Sequence, residues 1–134
     1  MNAQAAIVAE FLAMWEVPGG FQRAVKRYFS NSTVYENIGI SRTVGIEEAC
    51  RFFEAFATDA GCEAVRVRML AIAATEKYVL TERLDEILDI NGNVLLSLPL
   101  MGIFEVHSGK LSAWRDYFDT GCMPAYRGPG AIKR

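Results

Sequence analysis

Histidine is almost missing from this chain: His107 is the only one in 134 residues. A Ser–His–Asp relay needs a histidine beside its nucleophile. His107 instead falls in His107-Ser108-Gly109-Lys110, which reads as a solvated hairpin turn. Cysteine is scarce as well. Cys50, Cys62 and Cys122 make an odd set without metal-type spacing. With one histidine beside them, no zinc site is expected, and the three read as reduced, buried thiols of a cytoplasmic protein. A basic block is also lacking. Fourteen Lys and Arg against sixteen Asp and Glu leave a formal charge of −2, so neither nucleic acid nor an anionic membrane is an expected partner. No apolar run approaches the ~18 residues that a bilayer span needs. The opening MNAQAAIVAEFLAMWEV has no basic start, is interrupted by Glu10 and is followed by no small-residue cleavage site. It is read as part of the fold and not as a secretory signal. Gly19-Gly20 and Gly128-Pro129-Gly130 are turn material, not phosphate loops.

What is present is ordinary globular composition, 51% hydrophobic and 22% charged. The length suits one domain, residues 1–134, with a real core. Helical spacing fills the first half. Ile7, Phe11, Met14 and Trp15 predict a helix over 3–16, stopped by Pro18-Gly19-Gly20. Phe21, Val25, Tyr28 and Phe29 predict a second over about 21–29, and Ile46, Ala49, Phe52, Phe53 and Phe56 a third over about 46–58. Between them, after a turn at Asn31-Ser32, Thr33–Ile38 reads as a brief strand with Thr33, Tyr35 and Asn37 on one face.

From Cys62 onward the period becomes two. Segments 62–74, 77–90, 93–106 and 111–119 are strand candidates, with a two-residue type I′ turn expected at Asn91-Gly92. Helices first and an antiparallel meander afterwards predict an α+β fold, a curved sheet with helices on its concave face. The strand NVLLSLPLMGIFEV is apolar on both faces. One face would be left uncovered by helices, and a homodimer through that face is the expected solution. The tail, PAYRGPGAIKR, is expected to wrap the surface. Met14, Phe52, Phe56, Leu80, Leu98 and Leu100 are expected in the core or on a pocket wall.

Two strands carry acids where a structural strand would carry valine. Arg83 and Asp85 are two apart and share a face, and Asp116 shares its face with Trp114 and Phe118. Charges held against apolar surface are costly unless paired, and such pairs are a frequent seat of proton transfer. A surface ion pair on an exposed strand is the plain alternative.

Tyr35-Glu36-Asn37, Thr81-Glu82-Arg83-Leu84-Asp85, and Gly102-Ile103-Phe104 leading into Trp114-Arg115-Asp116-Tyr117-Phe118-Asp119 together resemble the limonene-1,2-epoxide hydrolase family. That family is a branch of the nuclear-transport-factor-2-like, or SnoaL-like, superfamily, and the resemblance spans roughly residues 5–120. It implies a cone-like fold and cofactor-free, one-step hydrolysis of a small apolar epoxide to a diol. Asp116 would be general base to a water held also by Tyr35 and Asn37. Asp85 would be general acid, and Arg83 would bridge the two carboxylates. Two rivals share the architecture: a ketosteroid-isomerase-like or polyketide-cyclase-like enzyme, and a non-catalytic module that binds an apolar ligand or a protein.

Overall fold

The computed structural model describes residues 2–122 and 125–132. Helix α1 (Ala3–Ala13) begins where the Asn2 side chain accepts the Ala5 N–H at 2.8 Å. It tightens into a 3₁₀ turn, Met14–Glu16, before helix α2 (Gly20–Tyr28). Gly20 is required at that junction, because a Cβ there would run into the Met14 carbonyl. Strands β1 (Phe29–Asn37) and β2 (Ser41–Val44) follow, then helix α3 (Ile46–Ala60). Four long strands complete the order: β3 (Ala64–Ala74), β4 (Tyr78–Leu88), β5 (Val94–His107) and β6 (Lys110–Phe118). No helix is long and apolar enough to cross a membrane among the described residues.

The strands form one open, curved sheet in the order β2-β1-β6-β5-β4-β3. Every pairing is antiparallel except β1 with β6. Register shifts at Met69/Ala71, Ile87/Leu88 and Glu105/Val106 interrupt the ladders, and such bulges sharpen the bend of a sheet. The helices cover one face. Between them and the sheet lies an aromatic core in which Phe11 meets Trp15, Tyr28, Phe29, Phe104 and Trp114 at centroid distances of 5.3–6.3 Å.

Four differences from the sequence reading have physical causes. Strand β2 escapes notice because Ser41–Val44 is only four residues, alternating buried with exposed and containing no large apolar side chain on its inner face. Strand β1 starts at Phe29, four residues early, because the polar stretch Ser30–Ser32 bulges while remaining in the sheet. The β4–β5 hairpin turns through Asp89–Asn93, not through a type I′ pair at Asn91-Gly92. The Asp89 carboxylate takes the N–H groups of Asn91 and Asn93, and only Gly92 (φ +80°) has a positive φ. The type I′ geometry appears instead at Ser108-Gly109, both with positive φ. Leu80 is 38% exposed on the outer face, since Val79 and Thr81 take the inward positions. Cys62 is buried and Cys50 half-buried; the Cys122 side chain lies outside the described residues.

Candidate active site

Cross-strand register brings the polar residues of the sequence motifs to one patch of the inner face. Asn37 lies opposite Asp116, Asp116 opposite Gly102, and Gly102 opposite Thr81, a row across β1, β6, β5 and β4. The neighbouring row runs Tyr35, Trp114, Phe104 and Val79. Arg83 and Asp85 lie two and four residues further along β4 from Thr81, on the same face.

Strand β5 separates Arg83 from Asp116, a gap of two strand spacings, roughly 10 Å between backbones. The guanidinium crosses it because position 102 has no side chain. A Cβ on Gly102 would overlap Asp116 Oδ1 and come within 2.5 Å of Arg83 Nη1.

Having crossed, Arg83 binds both acids. Its Nε and Nη2 donate to Asp85 Oδ1 and Oδ2 at 3.2 and 2.8 Å. Its Nη1 and Nη2 donate to Asp116 Oδ1 and Oδ2 at 3.1 and 2.9 Å. Nη1 also donates to Thr81 Oγ1, whose own hydrogen goes to the Gly102 carbonyl. Arg83 is wholly buried, with the Trp15 and Phe104 rings each 5.9 Å from its guanidinium carbon. Burial disfavours the charged guanidinium, but Asp116 and Asp85 outweigh that cost and hold the Arg83 pKa above its ordinary value.

Asp116 has a further donor: Trp114 Nε1 reaches its Oδ1 at 2.8 Å. Oδ1 thus accepts two N–H groups and Oδ2 one. Burial raises the pKa of Asp85, and the Asp116 charge adds to it, against the pull of Arg83. Beside them, Asn37 Nδ2 donates to Tyr35 Oη at 2.9 Å and to Ser41 Oγ at 3.0 Å. With both amide hydrogens used, Asn37 Oδ1 is left as an acceptor. Burial, then the Asp116 charge, pushes the Tyr35 pKa far up, so its phenol keeps its proton.

These groups open onto a cavity that is continuous with solvent at its mouth. Asp85, Asp116, Asn37 and Tyr35 are the polar markers on its wall; Phe52, Phe56, Leu98 and Leu100 are among the apolar ones, as the sequence implied. Met14 is packed against the core and is not a wall residue. All five sequence-predicted site residues converge. Thr81, Gly102 and Ser41 complete the arrangement and were not singled out for a role. For Thr81 a signal existed, since it shares the inward face of β4 with Arg83 and Asp85.

Sequence comparison fits this geometry to a known group. The family model of the limonene-1,2-epoxide hydrolase catalytic domain matches residues 2–125. The chain belongs to this family. Epoxide hydrolase EphG of Mycobacterium tuberculosis (strain ATCC 25618 / H37Rv) is 37% identical over 87 residues, 65% of this chain and 55% of that protein. The aligned part is therefore about half the length of that relative. The structure of an M. tuberculosis LEH-like epoxide hydrolase superposes with a TM-score of 0.66 at 28% identity, over 88% of this chain and 81% of the other. A candidate SnoaL-like polyketide cyclase from Jannaschia sp. CCS1 gives a TM-score of 0.72 at 14% identity, over 90% and 89%. At that identity the likeness carries the fold alone.

Proposed function

We propose that this protein adds water to a small alicyclic, limonene-type epoxide in one step, giving a vicinal diol. The observation that carries the proposal is the pair of buried carboxylates joined by one guanidinium on the wall of an apolar cavity, with Asn37 and Tyr35 beside them. An epoxide is strained but leaves as a poor alkoxide, so protonating its oxygen lowers the barrier. Water attacks well only as it loses a proton. Positioned acid or base help is worth typically ~10²–10⁴-fold, and one carboxyl of each protonation state supplies both.

Asp116 is the base. Its Oδ2 accepts a water proton, since Oδ1 is already taken by Arg83 and Trp114. Asn37 Oδ1 accepts the other water hydrogen and the Tyr35 hydroxyl donates to the water oxygen. One lone pair is then left to face the epoxide carbon. Asp85, whose pKa burial raises, is the acid and protonates the oxygen as the C–O bond breaks. Arg83 fixes both carboxylates. The products are one diol, a protonated Asp116 and an ionised Asp85; one proton must return from the first to the second between turnovers.

A single turnover in ¹⁸O-water tests the scheme: the diol is expected to carry the label. Unlabelled diol would mean that a carboxylate oxygen attacked and an ester formed.

The same proposal includes a homodimer. On the outer sheet face Leu84 lies opposite Pro99, Leu80 opposite Ile103 and Met101 opposite Tyr117, the last two about half exposed. A second copy would bury this apolar patch. Light scattering is expected to give twice the chain mass, and Met101→Glu to halve it; a monomeric parent protein would refute the dimer.

A further inference from the structure

The match to the family model ends at residue 125, and the chain beyond it returns to the cavity. The Arg42 N–H donates to the Gly130 carbonyl and the Ile132 N–H to the Ile40 carbonyl, both at 2.8 Å. Ser41 and Ala131 form an antiparallel bridge between those two bonds. The strap is thus pinned to the stretch that holds the site: Ile40 is on the cavity wall, and Ser41 Oγ accepts Asn37. Its own turn is tight. The Tyr126 hydroxyl donates to the Pro129 carbonyl at 2.7 Å, and Ala131 N–H to the Gly128 carbonyl at 3.0 Å. Gly130 (φ +77°) passes so close to β2 that a Cβ would lie 2.8 Å from Thr43 Cγ2.

This anchoring delivers one aromatic ring. Tyr126 is half-buried and lines the cavity, edge-on to Phe52 at a centroid distance of 5.1 Å. Phe52 in turn meets Tyr35 at 5.7 Å. The ring lines the cavity beside Phe52, with its hydroxyl turned back into the strap, so what it offers a ligand is apolar bulk.

We infer that Tyr126 is a specificity-determining residue, a wall supplied from outside the family-matched region that limits how large an alicyclic substrate the cavity admits. The inference rests on the hydrolase reading for its substrate and on the strap geometry for its location. Apolar pocket contacts discriminate by about 10–200-fold per missing methylene. Removing the ring is therefore expected to change the ratio of kcat/KM for limonene-1,2-epoxide over cyclohexene oxide by ~10-fold or more, in favour of the larger epoxide.

The experiment compares the unaltered protein with Tyr126→Ala and Tyr126→Phe, each checked for fold by circular dichroism. Both epoxides are assayed, and limonene-1,2-diol and trans-cyclohexane-1,2-diol are titrated by the intrinsic fluorescence of the two tryptophans, Trp15 on the cavity wall and Trp114 beside it. The titration needs no turnover. If the unaltered protein hydrolyses neither epoxide, the hydrolase reading fails and the ratio of diol affinities still decides on Tyr126. Support is a shift toward the larger ligand in Tyr126→Ala with the parent ratio kept in Tyr126→Phe, which retains the ring and loses only the bond to Pro129. Three results overturn the inference: ratios unchanged in Tyr126→Ala, the same shift in Tyr126→Phe, or an unaltered protein that neither hydrolyses either epoxide nor binds either diol.

Discussion

The indole Nε1 of Trp114 lies 2.8 Å from Asp116 Oδ1, while the same ring is stacked 3.9 Å from Tyr35 at an interplanar angle of 11°. One buried side chain therefore touches both the proposed base and the group proposed to orient its water. Trp114→Phe keeps much of the stack and removes the N–H. A hydrogen bond to a charged group is worth about 1.5–3 kcal/mol, so kcat is expected to fall by ~10–10²-fold with KM little changed. A parental kcat in Trp114→Phe would reduce Trp114 to packing.

Arg83 makes two donor pairs across the gap between β4 and β6, and its planar fork is what allows this. A lysine brings one compact charge on a stem that cannot serve both carboxylates bidentately. Arg83→Lys is expected to lose nearly as much activity as Arg83→Ala. Near-parental turnover in the lysine variant would refute the bridge. Both variants leave buried acids under-paired, so both are expected to unfold at lower denaturant, with about 3–5 kcal/mol of stability lost for Ala.

Gly102 carries no functional group, yet the guanidinium lies where its side chain would be. Gly102→Ala is expected to displace Asp116 and Arg83 and lower kcat by ~10²-fold, the usual cost of a misplacement near 1 Å. Overpacking of this kind costs about 1–3 kcal/mol of stability. Full activity in the alanine variant would mean that the Arg83–Asp116 geometry does not govern turnover.

Asp85 sets a pH dependence of definite sign. Burial raises its pKa above the ordinary carboxylate value, about 3.9 in the unfolded chain. The general acid is present only while protonated. Activity is therefore expected below the raised pKa and is lost as pH rises through it, giving kcat/KM an alkaline decline that reports the coupled pair. Stability has the same sign: the share due to Asp85 is complete below the unfolded pKa and lost through the folded one. A kcat/KM that continues to climb to about pH 9 would assign the acid elsewhere.

The chemistry of the site was more legible in the sequence than its supports. Arg83, Asp85 and Asp116 betray themselves because charge on the inward positions of a strand contradicts the local apolar pattern. Alternation puts Tyr35 and Asn37 on one face, but only the family resemblance marks them as site residues. Gly102 is different: a glycine in a strand looks like weak propensity, and only the register opposite Asp116 and Thr81 shows what its missing side chain permits. The parallel pairing of β1 with β6 is also invisible locally, although it sets Asn37 beside Asp116. Leu80 points outward although Val79 and Leu80 are both apolar, because the phase of the strand decides which of the two faces the core. Tyr126 sits in a run that reads as turns, and its placement depends on backbone bonds to Ile40 and Arg42 that no side-chain pattern announces.

The most direct test is diol formation from cyclohexene oxide and limonene-1,2-epoxide in the presence of EDTA, with the unaltered protein and with Asp116→Asn. Asparagine keeps the size and the acceptor for Trp114 but cannot take a proton from water. Turnover in the first protein and its loss in the second, with an unchanged circular dichroism spectrum, is the expected result. An Asp116→Asn protein that still makes diol at the parental rate would contradict the two-carboxylate mechanism.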